Sequence, residues 1–196
     1  RKALNRTNIV IRHAAALGLP VDVTLAEKTK ILLGKSRHKA KHIPFLPWQD
    51  VPAFYQSLND TDVSHLALKL LILTGLRTAP VISAHIDEID GDVWTVPAVK
   101  VKGKLGETSD FRVPLSYEAL RVIKDAKENS KHGYLFPGSR KPTISLDSMA
   151  AIMRKRGFEA RPHGFRTSLK TWMSDTQQVS REVSEMVISH QTGSRI

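Results

Sequence analysis

The sequence has 196 residues, 41% of them hydrophobic and 25% charged, so the chain is long and apolar enough to bury a core and is not disordered throughout. It contains no cysteine, which excludes disulfides, thiolate metal sites and cysteine nucleophiles. Thirty lysines and arginines outnumber nineteen acidic residues, and the resulting net charge of +11 favours a polyanionic partner, most often nucleic acid.

The sequence shows neither a membrane segment nor a secretory leader. Its most apolar run, residues 66–76, is interrupted by Lys69 and is far shorter than the ~18 residues that a membrane span needs. We therefore expect no membrane association. The first residues, Arg-Lys-Ala-Leu, include no methionine, so we interpret the chain as a fragment of a longer protein.

The positive charge is concentrated in the first part of the chain. Residues 1–45 carry a net charge of +8 and residues 46–196 only +3, which favours a binding arm over a merely solubilising surface. A basic stretch over residues 35–42 has no apolar anchor, and we interpret it as a linker between the end of one helical domain, residues 1–42, and a second domain, residues 43–196. Its cations are predicted to bind DNA: Lys35, Arg37, Lys39 and Lys41.

Two helices are predicted before the linker. Apolar residues at helical spacing cover residues 3–17, and Gly18 ends the pattern. Thr24 and Glu27 form a predicted capping box for a second helix, which stops at Gly34.

Two further helices open the second domain. The first is predicted over residues 48–58, with Pro52 tolerated in its first turn. The second, over residues 63–73, is strongly apolar and is closed by Gly75, so it is predicted to lie in the core. Arg77 lies just beyond this helix.

A small antiparallel sheet is predicted next. The sequence predicts two strands, over residues 84–89 and 92–99, joined by the Asp-Gly hairpin turn at residues 90–91. A loop rich in lysine and glycine, residues 100–106, separates them from a third strand over residues 111–115.

The rest of the chain has helical periodicity. Four helices are predicted, over residues 117–129, 145–156, 164–175 and 181–189. Serines are the predicted N-caps of three of them: Ser116, Ser145 and Ser180. The sequence therefore predicts an α+β fold that is mainly α, a helical domain with one small antiparallel β-sheet.

Several common catalytic motifs are absent from the sequence. It has no Walker loop, no His-Glu-x-x-His and no Gly-x-Ser-x-Gly. A group of acidic side chains between residues 87 and 92 straddles the predicted tight turn, so we interpret it as a solvated loop rather than a cation site.

The positive signal comes from cationic residues. His163 and Arg166 stand at i and i+3 in the first turn of a predicted helix, where free N–H groups and the helix dipole favour an anion. Arg77 follows a helix end that could hold its guanidinium rigidly, and His190 follows another helix end. Taken singly, the arginine could simply cap its helix, and the histidines could be structural.

The order of the motifs changes this interpretation. Leu-Thr-Gly-Leu-Arg at residues 73–77, a lysine-bearing hairpin, His-x-x-Arg at 163–166 and Ser-His-Gln-Thr-Gly at 189–193 resemble, in this order, the tyrosine recombinase (phage integrase) family. The resemblance covers residues 43–196. It implies the fold of DNA breaking-rejoining enzymes and, for residues 1–20, the last helix of the family's core-binding domain.

The resemblance implies five catalytic positions: Arg77, Lys102, His163, Arg166 and His190. In the hairpin loop, Lys100 and Lys104 are rivals for the position of Lys102 and are otherwise predicted to contact DNA. Two departures from the family pattern stand out. Pro80 occupies a position that is often glutamate, and the nucleophilic tyrosine, about nine residues beyond the second histidine, is expected after Ile196, so the fragment by itself is predicted to be inactive.

These residue types suit phosphoryl transfer to a phenol oxygen. Two arginines can donate in pairs to the non-bridging oxygens of the transition state, a lysine can protonate the departing 5′-oxygen, and a histidine can exchange a proton with the nucleophile. Because fixed cations stabilise the charge, we expect neither a metal ion nor a cofactor.

The resemblance implies a site-specific DNA recombinase, or integrase, that cleaves and rejoins strands through a 3′-phosphotyrosyl intermediate. Its expected partners are double-stranded DNA at attachment sites and further copies of itself, assembled on DNA as a tetrameric synapse. The expected location is the cytoplasm, and the expected origin is a bacterium or a prophage. The alternatives are a type IB topoisomerase and a non-catalytic DNA-binding regulator with the same fold. A tyrosine in the dozen or so residues that follow would distinguish the enzyme from the regulator.

Overall fold

A computed structural model describes residues 2–34, 43–101, 103 and 108–188. The chain divides into two compact units, residues 1–42 and 43–196. No helix in the described part of the chain is long and apolar enough to cross a bilayer.

Within residues 2–34 the first unit has two helices, α1 (Lys2–Ala16) and α2 (Leu25–Leu32), as predicted. The predicted capping box at the start of α2 is wrong. Thr24 has helical backbone angles, and its hydroxyl donates to Asp22 Oδ1 at 2.5 Å instead of capping the helix. Asp22 also accepts from the Thr24 N–H at 2.8 Å, so the aspartate organises this turn.

Seven α-helices are described in the second unit: α3 (Val51–Gln56), α4 (Val63–Thr74), α5 (Thr78–Ile82), α6 (Tyr117–Glu128), α7 (Ser148–Lys155), α8 (Phe165–Thr176) and α9 (Arg181–Val187). A 3₁₀ turn over Trp48–Asp50 precedes α3, so the helix predicted over residues 48–58 is interrupted at its start. The short α5 was not predicted, because five residues carry too little periodicity.

Helix α4 is the centre of the core, as its apolar sequence predicted. It packs against α5, α6, α7 and α8, and seven of its twelve residues are buried. The Asp62 carboxylate caps its N-terminus by accepting from the N–H groups of Ser64 and His65. Gly75 ends it in the left-handed conformation, with φ +61°, in agreement with the prediction.

The predicted sheet has three antiparallel strands in the order β1-β2-β3, namely Ile89–Asp90, Val93–Val96 and Phe111–Pro114. The predicted Asp-Gly turn lies between β1 and β2, and Trp94 of β2 pairs with Val113 of β3. The strands are shorter than predicted.

Residues 84–88 are not part of the sheet, which corrects the predicted first strand. Residues 84–86 pair instead with residues 133–135, and His85 begins a 3₁₀ turn over Ile86–Glu88. Gly133 has φ +79° and lies so close to the His85 ring that a Cβ there would overlap it. A contact with residues some 48 positions away therefore overrides the local strand pattern.

Two of the three predicted serine N-caps are confirmed. Ser116 and Ser180 accept from backbone N–H groups at the starts of α6 and α9. The prediction for Ser145 is wrong, because α7 begins three residues later and the Ser145 hydroxyl bonds to the hydroxyl of Ser148 at 3.0 Å.

Candidate active site

Arg166, in the first turn of α8, is the polar centre of the candidate site. It is only 3% exposed. Its Nη1 donates to the carbonyl oxygen of Gly75 at 2.7 Å, and its Nη2 donates to the carbonyl oxygen of Ile188. One guanidinium therefore joins the start of α8, the end of α4 and the end of α9.

Gly75 allows this close approach. A Cβ on Gly75 would lie 2.5 Å from Cδ2 of Leu169 on α8, and its positive φ would be strained in any other residue. The glycine therefore lets the end of α4 pack against α8, where its carbonyl meets Arg166. The chain continues directly to Arg77.

Arg77 is the N-cap residue of α5 and is half-buried. Burial lowers its pKa. Burial also lowers the pKa of Arg166, to about 10, and the positive charge of Arg77 lowers it further, against an opposing effect of Glu185. The structure thus brings Arg77 and Arg166 close enough to repel each other, and both stay charged at neutral pH.

His163 is exposed and lies in a 3₁₀ turn, Pro162–Gly164, immediately before α8. This corrects the prediction that His163 and Arg166 both lie in the first turn of the helix. The histidine precedes the α-helix, and the arginine in its first turn points into the protein, toward two backbone carbonyls. The exposed histidine and the buried arginine are three residues apart in the chain.

A segment without regular secondary structure, residues 44–46, supports this turn and was not predicted to contribute. The Arg161 N–H donates to the Pro44 carbonyl at 3.1 Å, and a Cβ on Gly164 would lie 2.5 Å from the same oxygen. The Ser168 hydroxyl donates to the carbonyl of Leu46. The only sequence signal for this support is the Gly between His163 and Arg166, which indicates a close approach of backbone.

Lys100 is the one hairpin-loop candidate whose side chain is described. Its ammonium donates to the Ser83 carbonyl at 2.5 Å and forms an ion pair with Glu88. Lys100 is therefore already engaged within the protein, and its role in DNA binding stays a prediction.

The other predicted site residues lie outside the described part of the chain: Lys35, Arg37, Lys39, Lys41, Lys102, Lys104 and His190. Their roles remain predictions, as do the catalytic roles of Arg77, His163 and Arg166.

No group of three or more His, Cys, Asp or Glu side chains within residues 2–34, 43–101, 103 and 108–188 could hold a metal ion. Asp87 and Glu88, from the acidic group before the hairpin turn, are engaged with His85 and Lys100 instead. An apolar cleft of about 230 Å³ next to α8 is lined by both Trp48 and Trp172, but by none of the candidate cations. It is a poor site for a phosphate.

The model of the phage integrase family matches residues 44–194 of this chain. Among curated relatives, the integrase of Enterobacteria phage P4 is 29% identical over 176 residues, covering 79% of this chain and 40% of that protein. The prophage integrase IntZ of Escherichia coli K12 is 28% identical over 158 residues, covering 76% and 38%. The chain thus spans about two fifths of the length of these relatives.

Solved structures share the fold. A lambda integrase tetramer bound to a Holliday junction matches with a TM-score of 0.66 at 15% identity, covering 98% of this chain and 58% of that chain. The XerA recombinase matches with a TM-score of 0.58 at 15% identity, covering 91% and 63%. The Tn1549 transposon integrase in complex with circular intermediate DNA matches with 0.62 at 14% identity, covering 97% and 78%.

Proposed function

This chain belongs to the phage integrase family, and we propose that it is the catalytic part of a site-specific DNA recombinase that cleaves and rejoins strands through a 3′-phosphotyrosyl intermediate. The observation that carries the proposal is the pair of arginines, Arg77 and Arg166. Arg166 is held rigidly by two backbone carbonyls, and His163 is exposed in the turn immediately before the same helix.

The geometry of Arg166 suits transition-state stabilisation. A guanidinium fixed by carbonyls at the ends of two other helices loses little entropy when it meets a phosphate. The nearby charge of Arg77 and the burial of both groups disfavour the charge of Arg166, against an opposing effect of Glu185, and a bound anion would relieve that cost. A phosphodiester that gains negative charge as it is attacked relieves it most, which is the requirement for catalysis.

In the proposed reaction, a tyrosine hydroxyl, expected beyond Ile196, loses its proton and attacks the phosphorus atom. The bond from phosphorus to the 5′-oxygen breaks as the new bond to tyrosine forms. Lys102 donates a proton to the departing 5′-oxygen, and His163 exchanges a proton with the nucleophile. His190 hydrogen-bonds a phosphate oxygen. The reverse sequence rejoins the strand without an external energy source.

The proposed substrate is double-stranded DNA at an attachment site, which the basic residues between 35 and 41 contact through phosphates. We propose that strand exchange takes place in a homotetramer on DNA, with support from the lambda integrase tetramer on a Holliday junction. The relatives are integrases of phages and prophages, which supports action in the cytoplasm of a bacterial host.

The proposal is tested by covalent capture. The full-length protein is incubated with a nicked duplex that spans the junction between the mobile element and its host chromosome, so that the cut strand cannot be rejoined. We expect the protein to become attached to a DNA 3′-phosphate. Arg166→Ala should lower the trapping rate by about 100- to 1000-fold, with a much smaller loss of duplex binding.

Arg154→Ala is the matched control. Arg154 forms a two-point ion pair with Asp147 on the surface, so its removal takes away the same charge outside the site. A wild-type trapping rate in Arg166→Ala, or failure of the wild-type protein to attach to DNA at all, would refute the proposed function.

A further inference from the structure

Lys100 links two parts of the second unit that are separate in sequence. It lies in a 3₁₀ turn, Ala98–Lys100, that follows β2 and begins the loop toward β3. Its side chain is 21% exposed and reaches back to the carbonyl of Ser83 and the carboxylate of Glu88.

Ser83 is the C-cap residue of α5, the short helix that begins directly after Arg77. The Ser83 hydroxyl donates to the Ala79 carbonyl at 2.9 Å, so the residue is itself fixed to the helix. A lysine ammonium on a carbonyl at a helix C-terminus is a favourable interaction. The start of the hairpin loop is therefore attached to the helix that positions Arg77.

Glu88 holds the lysine in place. Its Oε2 accepts from the indole Nε1 of Trp94 at 3.0 Å, and its Oε1 faces Lys100. Trp94 is fully buried in β2, and the Glu88 side chain is 10% exposed. Both carboxylate oxygens are therefore engaged, which fixes the glutamate relative to the buried indole of β2.

We propose that Lys100 and Glu88 are positioning residues for strand cleavage: they fix the start of the hairpin loop on α5, and with it the general acid relative to Arg77. The inference rests on the proposed function. Lys102 is two residues from Lys100, a span of at most about 7 Å of chain, so the anchored residue restricts where the acid can go. A general acid must lie within hydrogen-bond reach of the atom it protonates.

The test compares two nicked substrates, one with the natural 5′-oxygen leaving group and one with a 5′-sulfur. Sulfur departs without protonation, so loss of a correctly placed acid slows only the oxygen substrate. In the full-length protein, Lys100→Met should slow cleavage of the oxygen substrate by about 10- to 100-fold and leave the sulfur substrate within about threefold of wild type. Glu88→Gln should show the same pattern with a smaller loss, and Lys100→Arg should retain most activity.

Lys69→Met is the matched control, because Lys69 is also a shielded lysine paired with a carboxylate, Asp60, but belongs to α4. It should lower stability without changing the ratio of the two cleavage rates. Thermal unfolding of each variant separates loss of fold from loss of position. Equal losses on both substrates for Lys100→Met and Glu88→Gln, or no loss on either, would overturn the inference.

The inference and the proposed function fail in different ways. If the wild-type protein cleaves and the sulfur substrate rescues Lys102→Ala but not Lys100→Met, the positioning role is wrong and the recombinase function stands. If the wild-type protein forms no covalent complex with either substrate, the proposed function fails and the inference fails with it.

Discussion

Two groups of cations in the second unit differ in what neutralises them. Arg121 on α6 donates to Glu118 at 2.7 and 2.9 Å and to Asp125 at 2.8 Å, and its pKa is raised, chiefly by the hydrogen bonds to Glu118. Arg166 donates to two backbone carbonyls, and its pKa is lowered by burial and by Arg77. The fold favours the charge of the first arginine and disfavours that of the second.

This difference distinguishes a network of paired opposite charges from a site where like charges meet. In the network around Arg121, the cations face carboxylates whose own pKa values are lowered, so each partner stabilises the other's charge. In the site around Arg166, burial and the charge of Arg77 together outweigh the opposing effect of Glu185 on the pKa of Arg166. Such an arrangement is disfavoured until an anion arrives, which is typical of a site that binds a phosphate.

A pair of alanine substitutions, one in each group of cations, tests this difference most directly. Arg77→Ala should lower the cleavage rate by about 100- to 1000-fold, with a much smaller effect on the unfolding temperature, because burial already disfavours the charge that is lost. Arg121→Ala should do the opposite, lowering stability by about 1–2 kcal/mol while cleavage stays near the wild-type rate. Single-turnover cleavage and thermal unfolding measure the two effects. Equal effects of both substitutions on cleavage would remove the distinction.

A second experiment measures how much a paired charge contributes to the free energy of unfolding. Lys69 is 4% exposed and pairs with Asp60, which is 47% exposed. Asp60→Asn leaves a buried ammonium without its carboxylate and should cost about 2–4 kcal/mol of unfolding free energy, whereas Lys69→Met leaves an aspartate that water can solvate and should cost about 1 kcal/mol. Denaturant unfolding of both variants checks the order. A greater loss in Lys69→Met would show that the aspartate depends more on the pair than the lysine does.

The smallest effect concerns acid stability. Hydrogen bonds from Arg121 and then from Tyr55 lower the pKa of Glu118 to about 2, from its usual 4.5. The stabilisation is therefore fully present above pH 4.5 and is lost as the pH falls through about 2. Glu118→Gln should show a shallower loss of stability over this range than the wild-type protein, measured as the unfolding midpoint against pH. If the unfolding midpoints of the two proteins fall in parallel with pH, Glu118 does not contribute to the loss of stability in acid.

Local patterns predicted the parts of the fold that depend on neighbouring residues. The buried α4 followed from an apolar run with a glycine end, and the hairpin followed from Asp-Gly between two apolar segments. The prediction failed where distant contacts compete with local ones. Residues 84–88 have a strand-like pattern, yet pairing with residues 133–135 and the ring of His85 draw them away from the sheet.

The candidate site was predictable to the same degree. The sequence motifs predicted that Arg77, His163 and Arg166 belong together, and the structure brings the two arginines near each other. The support from residues 44–46 was not predictable, because a backbone carbonyl carries no identity in the sequence. The ion pair between Lys100 and Glu88 was not predictable either, because the sequence does not show which lysine of the hairpin loop contacts a carboxylate.

By itself, the sequence determined where most of the helices and the hairpin turn lie, the excess of positive charge, and the order of the cationic motifs, because each of these depends on residues close together in the chain. Only the tertiary structure decided that Arg166 turns inward to Gly75, 91 residues away, and to Ile188, and that Lys100 reaches back to Ser83. The physical reason is common to these contacts. A helix end leaves carbonyls that need a donor, and which cation satisfies them depends on how the helices pack.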